Sequence, residues 1–324
     1  MKILVTGGSG FIGSNFVEYI LNHTDHSVVN IDLLTYAGIT RFEESDRYTF
    51  YQRNIGDNFV KDILEQHRPD YVINFAAETH VDRSINDPLA FVKTNVLSTY
   101  NFITYLQDYF NRVNPDVRVL HISTDEVYGH LRIGEPAFTE ETPYAPNSPY
   151  SATKASSDHL FRAFNKTYGL PVITANCSNN YGARQFPEKF IPVVILGALN
   201  DRVIPIYGSG MNIRDWLYVE DHCEALYLIL TKGKVGEKYN IGGNAQRTNL
   251  YVVNTVLAML NKPKDLVVHV EDRKGHDFRY AVDYSKLKKE LGWQPRHVFE
   301  EGLSKTINWY IQNMEWVRRC GHSV

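Results

Sequence analysis

The chain has 324 residues, 43% hydrophobic and 22% charged, enough for one or two globular domains with a sizeable core; this composition excludes disorder, collagen and a disulfide scaffold. Its 34 basic and 37 acidic residues leave a formal charge of −3 without long runs of one sign, so nothing marks it as a nucleic-acid or membrane binder, and a small molecule is the expected partner. Cys177, Cys223 and Cys320 lack C-x-x-C spacing, which predicts neither a disulfide nor a metal site and fits a reducing compartment.

Met1 leads into a short β-branched run and then glycines, with no apolar stretch of signal-peptide length, so a cytoplasmic location is expected. The longest nearly apolar run, residues 191–199, is far too short to span a bilayer. Strands are predicted at residues 3–6, 28–31, 71–75, 117–123 and 172–176. Between the first two, Ile12, Phe16 and Ile20 recur every fourth residue beside Val17 and Leu21, the apolar stripe of a helix. Longer helices are predicted over 88–110 and 149–168. Strand alternating with helix signals a parallel sheet, hence an α/β Rossmann-type doubly wound fold. The regularity breaks near Ser178; shorter, Gly- and Pro-punctuated elements follow, closing with a helix over 287–309. The expected division is residues 1–176 as a dinucleotide-binding domain and 177–324 mainly as a substrate region, returning in part to the first, with one cleft between them.

Gly8, Gly10 and Gly13 form a G-x-G-x-x-G directly after the first strand and opening the first helix. Glycines permit a tight turn and close backbone approach, and the helix N-terminus offers free N–H groups to a pyrophosphate. Asp32, 22 residues beyond Gly10, ends the second strand, where a carboxylate accepts hydrogen bonds from an adenosine ribose and repels a 2′-phosphate. NAD is therefore the expected cofactor.

Tyr150 and Lys154 stand four residues apart, on one face of the predicted helix 149–168. The ammonium is expected to draw the phenol from a pKa of about 10 toward neutrality, making Tyr150 a usable base. Tyr284 and Lys288 repeat the spacing, but away from any strand-helix crossover that could carry a cofactor. Upstream, Thr124-Asp125-Glu126 follow the strand at 117–123, at the edge where open α/β sheets bind ligands. Two adjacent acids push one pKa upward, leaving one protonated acid beside one ionised base.

Together with residues 6–13, 31–38, 76–84, 179–182, 185–189 and 214–216, these motifs resemble the extended branch of the short-chain dehydrogenase/reductase superfamily, and within it the nucleotide-sugar 4,6-dehydratases of the dTDP-glucose type. The resemblance covers nearly the whole chain. It implies that Tyr150 takes the C4 hydroxyl proton while hydride leaves C4, and that Thr124 bonds the same oxygen. It further implies that Glu126 removes the C5 proton, that Asp125 protonates the departing C6 hydroxyl, and that Lys154 serves Tyr150 and the nicotinamide ribose. By the same resemblance Gly7, Gly10, Phe11, Ile12, Gly13, Asp32, Asn54, Ile55 and Ala76 surround NAD. His80 and Ser84 approach the sugar, Asn179, Lys189, Arg214 and Asn249 hold the diphosphate, and Arg273, His276 and Tyr280 close over the nucleotide. Lys274, where the family usually has Pro, and Phe278, where Arg is common, leave UDP-glucose open beside dTDP-glucose. Asp125 weighs against an epimerase or decarboxylase, and the presence of Thr124, Tyr150 and Lys154 weighs against a non-catalytic NAD-binding sensor. A homodimer through the long helices after Pro88 and Pro149 is also implied.

Overall fold

The computed structural model describes residues 1–272 and 275–321. Its first half runs β1 (Lys2–Thr6), α1 (Phe11–His23), β2 (Ser27–Asp32), β3 (Tyr48–Gln52), α2 (Phe59–His67), β4 (Tyr71–Asn74), α3 (Val81–Asn86), α4 (Pro88–Phe91), a π-helical stretch (Val92–Ser98) and α5 (Thr99–Arg112). Then come β5 (Arg118–Thr124), α6 (Pro149–Tyr168), β6 (Val172–Cys177), β7 (Asn179–Tyr181), α7 (Phe190–Leu199), β8 (Ile204–Tyr207), β9 (Ile213–Tyr218) and α8 (Val219–Lys232). The chain ends with β10 (Lys238–Ile241), β11 (Gln246–Thr248), α9 (Asn249–Met259), β12 (Val267–Val270), α10 (Ser285–Leu291), α11 (Phe299–Gln312) and α12 (Met314–Arg319). Among the described residues, no helix is long and apolar enough to cross a membrane.

Seven strands in the order β10-β6-β5-β4-β1-β2-β3 form one sheet, every pair parallel. β1 pairs with both β2 and β4, Thr6 lying opposite Ile31 on one side and Asn74 on the other. The strand order reverses there, which opens a crevice beyond the carboxyl ends. Strand alternation sorts the core: Ile3, Val5 and Ile73 pack with Phe16 and Val17 of α1 and Leu226 and Ile229 of α8 on one face. Leu4, Val29 and Val72 pack with Ile63 of α2, Phe102 of α5 and Phe161 of α6 on the other. A second core joins Val194 of α7, Val253 of α9 and Leu303 of α11 around Trp216.

The five predicted strands and both long helices are present, within a residue or two at each end. Two strands of the main sheet escaped the sequence reading. β3 is an edge strand whose burial is only partial, so it lacks a continuous apolar run; β10 has four residues and pairs with β6. The helix expected over 287–309 is two helices, α10 and α11. Gly292 ends α10 in the left-handed region at φ 75°, and Pro295 follows within the connecting segment.

Candidate active site

A cavity of about 340 Å³ opens at the carboxyl ends of six strands. Gly7 follows β1 at φ 70°, and a Cβ there would come within 2.7 Å of the Ala76 backbone nitrogen; one on Gly13 would meet the Gly7 carbonyl at 2.2 Å. Only glycine lets the β1–α1 turn close this tightly. Buried Asn30 fastens the loop, accepting from the Gly8 N–H at 3.0 Å and donating to Ser9 Oγ at 3.2 Å. No side chain caps α1, so its N-terminal N–H groups and dipole face the cavity, which Gly10, Phe11 and Ile12 line. Asp32 sits at the next strand end and accepts from the Ser9 and Leu34 N–H groups at 2.9 and 2.8 Å. Its two oxygens keep lone pairs for a further donor. Asn54, Ile55 and Ala76 continue the wall, the Asn54 side-chain Oδ1 accepting from the Gly56 N–H.

α6 brings Tyr150 and Lys154 to this cavity. Ser148 and Ser151 exchange side-chain to backbone bonds in a capping box with Pro149 in the first turn, an arrangement worth about 1 kcal/mol. Ser148-x-x-Ser151 was the sequence signal for it. Ser84, fully buried, accepts the Tyr150 N–H at 3.2 Å. The helix start is thus locked by the residue expected to approach the sugar; Ser84 does not line the cavity. Tyr150, Lys154, Thr124 and Glu126 all do. Lys154 donates Nζ to the Ile122 carbonyl at 2.7 Å.

The electrostatics correct one expectation. Tyr150 is not drawn toward neutrality. Burial pushes the phenol well above its usual pKa, the nearby Glu126 adds to this, and a hydrogen bond with Thr124 opposes it. One member of the acid pair, Asp125, is raised as expected, with burial a larger cause than its neighbour. Asp125 is 1% exposed, and burial, then the charges of Glu126 and Asp215, lift it well above the carboxylate range. Among the described residues, its Oδ2 finds no hydrogen-bond partner.

At the β7 side Asn179 and Lys189 line the cavity. Sequence reasoning did not single out Ser178 and Gln185 beside them. Among the described residues, Ser178 Oγ, Asn179 Oδ1 and Gln185 Oε1 are buried without a protein partner, so they are open to a hydrogen bond from a ligand or water. His80 caps α3 and lies 3.6 Å from Glu188. Arg214 stacks on Tyr280 at 4.4 Å and donates to the Asp277 carbonyl at 3.0 Å. Asn249 opens α9 and donates its N–H to the Asn212 carbonyl, while His276 pairs with Asp272. These five residues are outside the cavity wall, although Arg214 acts on Asp125 and Tyr280 feels Glu126. Arg273, Lys274 and the final residues 322–324 lie outside the described residues. Tyr284 packs on Trp293 away from the cavity, so the second Tyr–Lys spacing is a coincidence.

The family model of the GDP-mannose 4,6 dehydratases matches residues 4–306. The chain belongs to that family. Within the family it is 50% identical over 347 aligned positions to the dTDP-glucose 4,6-dehydratase of Escherichia coli, covering 98% of this chain and 96% of that one. It is also similar to the crystal structure of the Streptomyces venezuelae dTDP-glucose 4,6-dehydratase with NAD and dTDP bound, with TM-score 0.92, 40% identity, and 99% and 100% of the two chains covered. The Bacillus anthracis dTDP-glucose 4,6-dehydratase in complex with NAD gives TM-score 0.90 at 44% identity, covering 99% of both.

Proposed function

We propose that the chain dehydrates dTDP-glucose to dTDP-4-keto-6-deoxyglucose, with residues 1–176 mainly holding NAD and residues 177–324 mainly holding the nucleotide sugar. The observation that carries this reading is the acid pair at the end of β5, Asp125 buried and Glu126 half-buried on the cavity wall, next to Tyr150 and over a glycine-lined helix N-terminus that no described side chain caps. The residues present fit NAD: the α1 terminus takes the pyrophosphate, Asp32 the adenosine ribose, the wall at Asn54 and Ile55 the adenine, and Lys154 the second ribose. When bound, the cofactor would accept hydride from C4 and return it to C6, as C5 regains the proton that Glu126 had taken. Tyr150 Oη takes the C4 hydroxyl proton, with Thr124 Oγ1 orienting the same oxygen. The 4-keto group acidifies C5–H, which Glu126 removes, and Asp125 passes its proton to the C6 oxygen so that water leaves. Burial, then the charges of Glu126 and Asp215, raise the Asp125 pKa and so favour the protonated form that this step needs. Asn179 and Lys189 are placed to hold the diphosphate.

Incubation of the purified protein with dTDP-glucose or UDP-glucose, followed by mass spectrometry, tests this directly. Loss of one water from dTDP-glucose, faster than from UDP-glucose, is the expected result; no loss from either after NAD is supplied rejects the proposal. Asp32→Ala should weaken NAD binding roughly tenfold or more without changing the preferred sugar, as read by cofactor titration and competition between the two substrates.

The proposed assembly is a homodimer. Leu89, Val92, Leu97 and Tyr100 are exposed, Leu97 by 56%, along the continuous helix from Pro88 to Arg112, beside α6. Exposed apolar side chains along this helix suit pairing with a second copy. Leu97→Glu should convert the dimer to monomer in light scattering; an unchanged mass removes this surface from the interface. A cytoplasmic site of action accords with three cysteines outside any disulfide.

A further inference from the structure

The proposed chemistry leaves out a carboxylate buried directly beneath it. Asp158, on α6 one turn beyond Lys154, is 4% exposed. Its Oδ1 lies 3.0 Å from His121 Nε2. Its Oδ2 accepts from Ser123 Oγ at 2.7 Å, Tyr144 Oη at 2.8 Å and Asn176 Nδ2 at 3.4 Å. His121 Nδ1 is 3.2 Å from Asn74 Nδ2, and Asn74 accepts from Thr6 Oγ1. One polar chain therefore ties the ends of β1, β4 and β5 to α6. Lys154, 5% exposed, spends Nζ on the Ile122 carbonyl, so its charge meets that of Asp158 through space across one helical turn.

We propose that Asp158 is a positioning residue: its buried carboxylate is the counter-ion of Lys154 and the anchor of the strand end on which Thr124, Asp125 and Glu126 stand. A buried ammonium sheds its proton unless a negative charge lies near it. Burial draws Lys154 down and Asp158 draws it back up. Asp158, fed by its donors, stays below the usual carboxylate range. The other titratable groups facing the pair do not supply the missing charge. His121 of β5 is held down to about 4 and is neutral. Cys177 of β6, raised to about 12, and Tyr128 and Tyr144, raised further, keep their protons. Lys238 of β10, over the Tyr144 ring, is a second cation.

The test is Asp158→Asn in the full-length protein loaded with NAD. Removing the anion lowers the Lys154 pKa, so the alkaline limb of the C4-oxidation rate should move down by about one pH unit. kcat should fall at least about tenfold with KM unchanged. Tyr144→Phe, which removes a donor and keeps the charge, should leave the limb in place. The kinetic arm rests on the proposed dehydration; thermal unfolding does not. Asp158→Asn should lower the midpoint, and adding Lys154→Met should restore most of the loss, because the stranded ammonium is gone. An unmoved limb in Asp158→Asn, or an equal loss of midpoint with and without Lys154→Met, overturns the proposal. So does a double variant that does not fold.

Discussion

Replacing Tyr150 by Phe should lower the rate of C4 oxidation by about a thousandfold, the middle of the range that a positioned base contributes, while dTDP-glucose still binds. The substitution removes one oxygen and nothing of the packing. The ring stays against Phe91, 6.4 Å away edge to face, and the backbone N–H of residue 150 still reaches Ser84. A single-turnover experiment that follows reduced nicotinamide measures the loss directly, with thermal unfolding as the control for fold. Because burial and Glu126 raise the phenol, the wild-type rate should climb with pH on its acid limb, as the deprotonated form becomes accessible. That limb should be absent from the variant's residual rate. A variant within a few-fold of wild type would remove Tyr150 from the base role.

Asp125→Asn and Glu126→Gln should separate the later steps, each slowing water loss by roughly a thousandfold while C4 oxidation persists and reduced nicotinamide accumulates. Both amides match the acids in shape, so the fold should hold. Asp125→Asn should cost no stability, since it removes a buried group already crowded by Glu126 and Asp215. The two differ in one readout. With Glu126 intact, the substrate C5 hydrogen should still exchange with deuterated solvent in Asp125→Asn; in Glu126→Gln that exchange should stop. The reverse pattern would swap the two roles. Asp125 must be protonated to act, and its folded pKa lies above the usual carboxylate value, so wild-type elimination should be fully supported below that raised pKa and decline as pH climbs through it.

Much of the site was legible in the chain because it is written in short-range chemistry. Gly7 to Gly13 after an apolar strand, a carboxylate at Asp32, Thr124-Asp125-Glu126 at a strand end and Tyr150 four residues before Lys154 are local patterns, and each reports where a backbone must turn or which face a side chain shares. Periodicity likewise determined the five strands 3–6 to 172–176 and the helices beginning at Pro88 and Pro149. What is decided by distant partners was not legible. β3 and β10 are short, and become strands only because β2 and β6 offer open edges. That Ser84 of α3 accepts the Tyr150 N–H in the first turn of α6 follows from two segments 66 residues apart packing together, which no local pattern reports. The sign of the Tyr150 shift is of the same kind. Spacing alone sets the Lys154 charge beside the phenol, but the depth of burial and the Glu126 field that overrule it exist only when β5, α6 and the cavity wall have assembled. Local geometry is a property of neighbouring residues; desolvation and electric field are properties of the whole packed surroundings, and only the tertiary structure supplies them.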